Sequence, residues 1–181
     1  SDLLTKNNLE TEEINLSMNP EIPDDCDLLF LYAPTSDITD DEKTIIEKYL
    51  SDGGKVYLIL GDTTSDTPNL DGIMSDYGLK KVSGYIADTQ RCYQGNYYAI
   101  FPQLSLSGDL GSGISNQMVL LLNSPGMEKT DTDNDNLTVT PFMQTSDSGY
   151  AVTENDQTQG QYILGAVSTL SLIHISEPTR H

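Results

Sequence analysis

Two cysteines, two histidines and a surplus of carboxylates are the side chains from which this chain could build chemistry. A thiol nucleophile needs a cysteine on a sharp strand-to-helix turn with an imidazole nearby as its base. Cys26 instead precedes an apolar run, and Cys92 lies in a loop-rich stretch without a Gly-x-Cys-x-Gly frame. Both histidines, His174 and His181, fall at the very end of the chain. Serine-triad hydrolysis and zinc chemistry also commonly draw on imidazole, so the same placement argues against them. Glycoside hydrolysis needs only two carboxyl groups, but 28 Asp and Glu in 181 residues offer such pairs everywhere and single out none. The sequence reads as non-enzymatic and calls for no cofactor.

Two further patterns could hold ligands. Asp131, Asp133 and Asp135, with Asn134 and Asn136, place oxygens at alternate positions as a calcium loop would. The loop lacks a glycine at its sixth position and has Phe142 where a bidentate glutamate belongs, so a solvated surface loop accounts for it better. Gly108, Gly111 and Gly113 are rich enough in glycine for a phosphate cradle. They follow no apolar strand and carry no lysine, which departs from both nucleotide fingerprints.

The elements that would position a site read most clearly in the first half of the chain. Leu9 to Leu16 spaces its apolar residues as a half-exposed edge strand would. Pro20 and Pro23 then break the chain, and Leu28 to Ala33 is a continuous apolar run that suits a parallel strand covered on both faces. Thr39-Asp40-Asp41-Glu42 has the spacing of a capping box. Ile45, Ile46, Tyr49 and Leu50 share one face of the helix it starts, and Gly53-Gly54 supplies the stop. Lys55 to Leu60 follows as a second buried strand, which completes a right-handed βαβ unit.

Beyond it, Pro68 opens a short helix that carries Leu70, Ile73, Met74 and Tyr77 inward and stops at Gly78. Short strands are expected at 79–82 and 85–87, a strongly apolar one at 118–122, and further ones at 137–143 and 161–167. The expected fold class is therefore α/β, a mostly parallel sheet flanked by helices. Ligands of such sheets bind beyond the carboxyl ends of the strands. That rim would carry Thr35, Ser36 and Asp37 after one strand and Asp62, Thr63 and Thr64 after the next, with Asn123 and Ser124 beside them. The same residues could serve as helix caps and loop polars. Tyr93, Tyr97 and Tyr98 offer amphipathic contact area for a partner protein, or fold over the sheet as a satellite core.

Nine Lys and Arg against 28 Asp and Glu give a net charge of −19, which repels phosphate backbones and argues against nucleic acid. Cys26 and Cys92 are too few for a disulfide framework, and sequence leaves open whether they pair. No run approaches the ~20 apolar residues needed to cross a bilayer. Both ends read as cut: the chain opens on what resembles the last turn of a helix. Leu170 to Arg180 resembles the translated read-through of a sequencing-library adapter. The expected organisation is one domain over 1–169 and a non-native tail over 170–181.

The order of these segments resembles the extracytoplasmic domain of the gliding-motility-type (GldG-like) ABC-transporter auxiliary proteins. The resemblance rests on Ile22-Pro23-Asp24-Asp25-Cys26-Asp27, on Ala33-Pro34-Thr35-Ser36-Asp37-Ile38-Thr39 and on Tyr49-Leu50-Ser51-Asp52-Gly53-Gly54-Lys55. Asn96-Tyr97-Tyr98 and the stretch from Val139 to Ala151 extend it. The resemblance implies a fold similar to flavodoxin-like and class I glutamine amidotransferase-like domains. It also implies a non-enzymatic accessory role beside ABC permease and ATPase subunits, and membrane anchoring through segments outside this chain. A solute- or carbohydrate-binding module is the alternative.

Overall fold

The structure is a computed structural model that describes residues 6–61, 66–106, 118–131 and 134–171. The chain divides into two compact units, Ser1–Leu70 and Asp71–His181.

In the first unit, β1 (Leu29–Tyr32) and β2 (Val56–Ile59) pair in parallel, Leu29 opposite Val56 and Tyr32 opposite Ile59. Between them runs α1 (Asp40–Ser51), whose start is fixed by the expected capping box. The Glu42 N–H donates to Thr39 Oγ1 at 3.2 Å, and the Thr39 N–H donates to Glu42 Oε2 at 2.9 Å. Three acidic residues occupy the first turn, where the helix dipole favours them. The helix stops at Gly53, whose φ of 95° admits no ordinary side chain at low cost. Ile46 packs inward at 1% exposure and Leu29 is buried as well. The strand-helix-strand order and the parallel pairing are as the sequence implied.

Three expectations in this unit fail, the first being the second buried strand over 55–60: no residue of β2 is buried, and Tyr57 is exposed. Residues 9–16 form no strand; they are largely exposed, and Asn15 closes a turn by accepting the N–H groups of Ser17 and Met18. The run 28–33 is not covered on both faces, because Leu28, Phe30 and Tyr32 stand open to solvent. Apolar continuity reports how hydrophobic a strand is, and here it did not report how many layers cover it.

Helix α2 (Pro68–Asp76) has proline at its first position, buries Leu70, Ile73 and Met74, and ends before Gly78, which has a φ of 75°. The second unit is otherwise built of strands: β3 (Leu79–Val82), β4 (Tyr85–Asp88), β5 (Cys92–Tyr93), β6 (Asn96–Ile100), β7 (Gln103–Leu104), β8 (Leu121–Leu122), β9 (Gly126–Lys129), β10 (Leu137–Gln144), β11 (Gly149–Val152), β12 (Gln157–Gly160) and β13 (Ile163–Leu170). They form a five-stranded sheet in the order β3-β9-β13-β10-β7 and two three-stranded sheets, β12-β11-β4 and β5-β6-β8. Every pair in these three sheets is antiparallel.

The expected mostly parallel sheet, flavodoxin-like or amidotransferase-like, is thus overturned. Parallel neighbours need a crossover of a dozen or more residues, usually a helix. After Gly78 the described residues contain no helix, and many connections are short. Gln94 and Gly95 join β5 to β6 with φ of 50° and 79°, the left-handed pair that a tight hairpin turn requires. The apolar run 118–122 is likewise no buried parallel strand. Only Leu121 and Leu122 pair, antiparallel to β6, and Met118, Leu120 and Leu122 are exposed.

The core of this unit gathers Ile86, Ile100, Ala151, Tyr162 and Leu164, with Val82, Leu121 and Met143 against them. Gly126 lets β9 approach it closely: a Cβ there would lie 2.5 Å from Ile86 Cδ1. Strand β13 runs on to Leu170, opposite Leu137, and the Ser171 N–H donates to Asn136 O. Residues 172–181 lie outside the described residues.

Candidate functional site

Strand alternation puts Leu28, Phe30 and Tyr32 on one side of β1, and the parallel register sets Tyr57 of β2 directly across from Phe30. These four side chains are 50%, 51%, 73% and 48% exposed. The rings are ordered against one another. Phe30 and Tyr57 lie with centroids 5.0 Å apart and planes 4° off parallel, and Phe30 and Tyr32 at 6.2 Å and 14°. Opposed cross-strand aromatics stabilise one another beyond the area they bury. Three rings about half exposed leave on the order of 300 Å² open, given the 150–250 Å² such side chains bury in full. Apolar patches of that size on soluble domains are often functional. Sequence reasoning missed this face; the signal that could have found it was aromatic residues at i and i+2 of one strand with tyrosine at the matching place in the next.

The candidate rim residues take different places. Thr35 and Ser36 are exposed just after β1. Asp37 is tied to the start of α2: its Oδ2 accepts the Asn69 N–H at 2.9 Å and its Oδ1 the Leu70 N–H at 3.0 Å. Asn69 returns the tie, donating through Nδ2 to Ile38 O and Asp40 Oδ1. Both groups that Asp37 serves would otherwise be orphan donors of a helix start. Asp62, Thr63 and Thr64 lie outside the described residues. At the carboxyl ends of the pair, Ala33 holds a left-handed φ of 42°, and a Cβ on Gly61 would meet the Ala33 backbone at 3.0 Å.

In the second unit Tyr97 is half exposed on β6. Tyr93 on β5 meets Phe101 edge-on at 6.0 Å. Asn123 is exposed, with its N–H on Tyr98 O, and the Ser124 hydroxyl donates to Pro125 O. Cys26 and Cys92 are both free thiols. Of the calcium candidates, Asp133 lies outside the described residues, as does the glycine-rich stretch 108–113. Asn134 shapes a turn into β10, its Oδ1 accepting the Asn136 N–H. Among the described residues no group of three or more His, Cys, Asp or Glu could hold a metal ion.

A buried polar centre was also missed. Asp88, at the end of β4, is fully buried, and its carboxylate accepts four hydrogen bonds. They come from the Ser146 N–H at 2.7 Å and from the Ser146 hydroxyl, the Gln90 N–H and the Arg91 N–H at 2.9 Å each. Burial pushes its pKa up, but these donors outweigh burial and hold it below the ordinary carboxylate value. Beside it Thr145, also fully buried, accepts the Tyr162 N–H on its hydroxyl. The stretch 144–151 thus closes the β10–β11 connection onto β4 through the buried Asp88, Thr145 and Ser146.

A family model described as an ABC-type uncharacterized transport system matches residues 4–167. Three solved chains match. One of them, titled "mmIFT52 N-terminal domain", is 15% identical, with a TM-score of 0.57 over 82% of this chain and 71% of that one, which is a likeness of fold. No curated protein matches. Neither the family match nor the structural likeness supports an adapter-derived tail. Among the described residues no helix is long and apolar enough to cross a membrane.

Proposed function

This chain belongs to the family of ABC-type transport auxiliary proteins and has a non-enzymatic, accessory role, and from that premise we propose that it works outside the cytoplasm as a docking domain. In this reading the full-length protein is anchored in the membrane by segments beyond this chain, and the domain holds a protein of the transport machinery, the permease or a subunit bound to it. The observation that carries the reading is the open aromatic face of β1–β2, where Leu28, Phe30, Tyr32 and Tyr57 leave apolar area in solvent. An accessory protein without catalysis acts through contacts, and a partner that covers this face removes that area from water. Thr35 and Ser36 supply polar contacts at its carboxyl end. Tyr97, half exposed on β6, offers a second aromatic contact area in the 71–181 unit, and residues 1–169 are the portion that docks.

The test is photocrosslinking in the native host. A photoreactive phenylalanine analogue replacing Tyr32 of the full-length protein should capture a subunit of the ABC system. The same analogue at exposed Thr158 should not. Capture of no membrane-complex subunit from Tyr32, or fractionation that places the domain in the cytoplasm, overturns the proposal.

A further inference from the structure

Charge indicates what covers the β1–β2 face. Residues 1–70 hold 16 Asp and Glu against four Lys, so this unit carries most of the chain's net −19 on well under half its length. Asp24, Asp25 and Asp27 are exposed immediately before Leu28, at the amino end of the face. Two cations lie near them, Lys55 just before β2 and Lys48 of α1, but Lys48 already pairs with Asp52, so the acidic groups outnumber the basic ones there.

Three occupants could cover such a patch, and the charges separate them. A second copy of this chain would bring two strongly acidic units together, which self-repulsion opposes. A bilayer surface rich in anionic lipid repels the same field. A basic polypeptide is attracted by it, and open aromatic rings hold Lys and Arg side chains through their π-faces and along their aliphatic stems. We propose, resting on the docking reading above, that the β1–β2 face receives a basic amphipathic segment of the partner protein. Its apolar side chains pack on Phe30, Tyr32 and Tyr57, and its Lys or Arg residues lie toward Asp24, Asp25 and Asp27.

Two synthetic peptides of equal length test this, one alternating leucine with lysine and one alternating leucine with glutamate, each titrated against the 181-residue chain and followed by NMR. The lysine peptide should bind at least about tenfold more tightly than the glutamate peptide, and its affinity should fall as salt rises. Its shifts should centre on residues 28–32 and 55–59. The doubly substituted F30S/Y57S chain should lose about tenfold or more in affinity, and so should D24N/D25N/D27N, whose substitutions are exposed and spare the fold. Equal binding of the two peptides overturns the proposal, as does binding that neither variant weakens. A concentration-dependent dimer dissolved by F30S/Y57S, or anionic vesicles bound through the same face, overturns it in favour of the other occupants. Crosslinking from Tyr32 in cells is a separate readout: if it succeeds while the peptide preference fails, the docking reading stands and the basic partner falls.

Discussion

Replacing Asp88 by asparagine keeps the shape of the side chain and removes its charge, which isolates what the carboxylate contributes. Asp88 Oδ1 takes three donors and Oδ2 takes the Ser146 N–H. An amide in its place can keep the first set but turns its NH₂ toward the Ser146 N–H, leaving two buried donors face to face. Charge-assisted bonds and buried unsatisfied donors set the scale, so Asp88→Asn should lower unfolding free energy by about 3 kcal/mol in denaturant titrations at pH 7. The pH dependence has a definite sign. The folded pKa lies below the ordinary 3.8, so the ionised carboxylate's contribution is complete above that value and is lost as pH falls through the lower folded one. The stability gap between the native chain and Asp88→Asn should therefore be constant near neutrality and narrow below about pH 4. A gap that stays constant through acid unfolding would show that shape, not charge, holds Ser146 to Asp88.

Element by element, what could be read from sequence was what neighbours in sequence determine. Helix α1 lies between Thr39 and Gly53 because its start and stop are local chemistry, three-residue reciprocity at one end and a left-handed glycine at the other. The β1–β2 pair was legible for the same reason, since a helix of the right length joins two apolar runs. The strands after Gly78 were partly visible one at a time, and their partners were not. Strand β13 pairs with β10 and β9, and β11 with β4, a choice made by tertiary packing. Asp88 was invisible on the same ground, as Ser146 lies 58 residues away, and so was the open side of β1, because coverage belongs to the neighbouring layer. One contact between elements can be tested directly. Gly126→Ala in β9 puts a methyl group 2.5 Å from Ile86 Cδ1 in the core, and overpacking of this kind costs about 1–3 kcal/mol. The same methyl group would lie 2.5 Å from Ile86 Cγ1 as well, and Ile86→Ala removes both atoms, so the double variant G126A/I86A should be more stable than the sum of the two single changes predicts. Strict additivity in a double-mutant cycle measured by urea unfolding would show that Gly126 is not where β9 meets Ile86.

Charge governs the behaviour of the molecule as a whole. With 28 acidic groups against nine basic ones, and ion pairs such as Lys43–Glu47, Lys80–Glu128 and Lys81–Asp71 largely at the surface, repulsion among carboxylates outweighs the attraction those pairs supply. Repulsion spread over a surface is long-ranged and is screened first, so raising sodium chloride from about 0.01 M to about 1 M, where the screening length falls from about 30 to about 3 Å, should stabilise the fold. A gain of about 1 kcal/mol corresponds to roughly 2–4 °C in Tm for a chain of this length. The converse, a Tm that falls with salt, is what a fold held by its surface ion pairs would show. Repeating the series at about pH 4, where ordinary Asp and Glu begin to take up protons, separates screening from general salt effects on hydrophobic burial. The salt dependence should flatten there if carboxylate repulsion is its source, and keep its slope if burial is. The same repulsion opposes association of the domain with copies of itself and favours the basic partner proposed for its aromatic face. A chain that stabilises with salt at pH 7 and not at pH 4 should accordingly bind the basic peptide best at low salt, where its own fold is weakest.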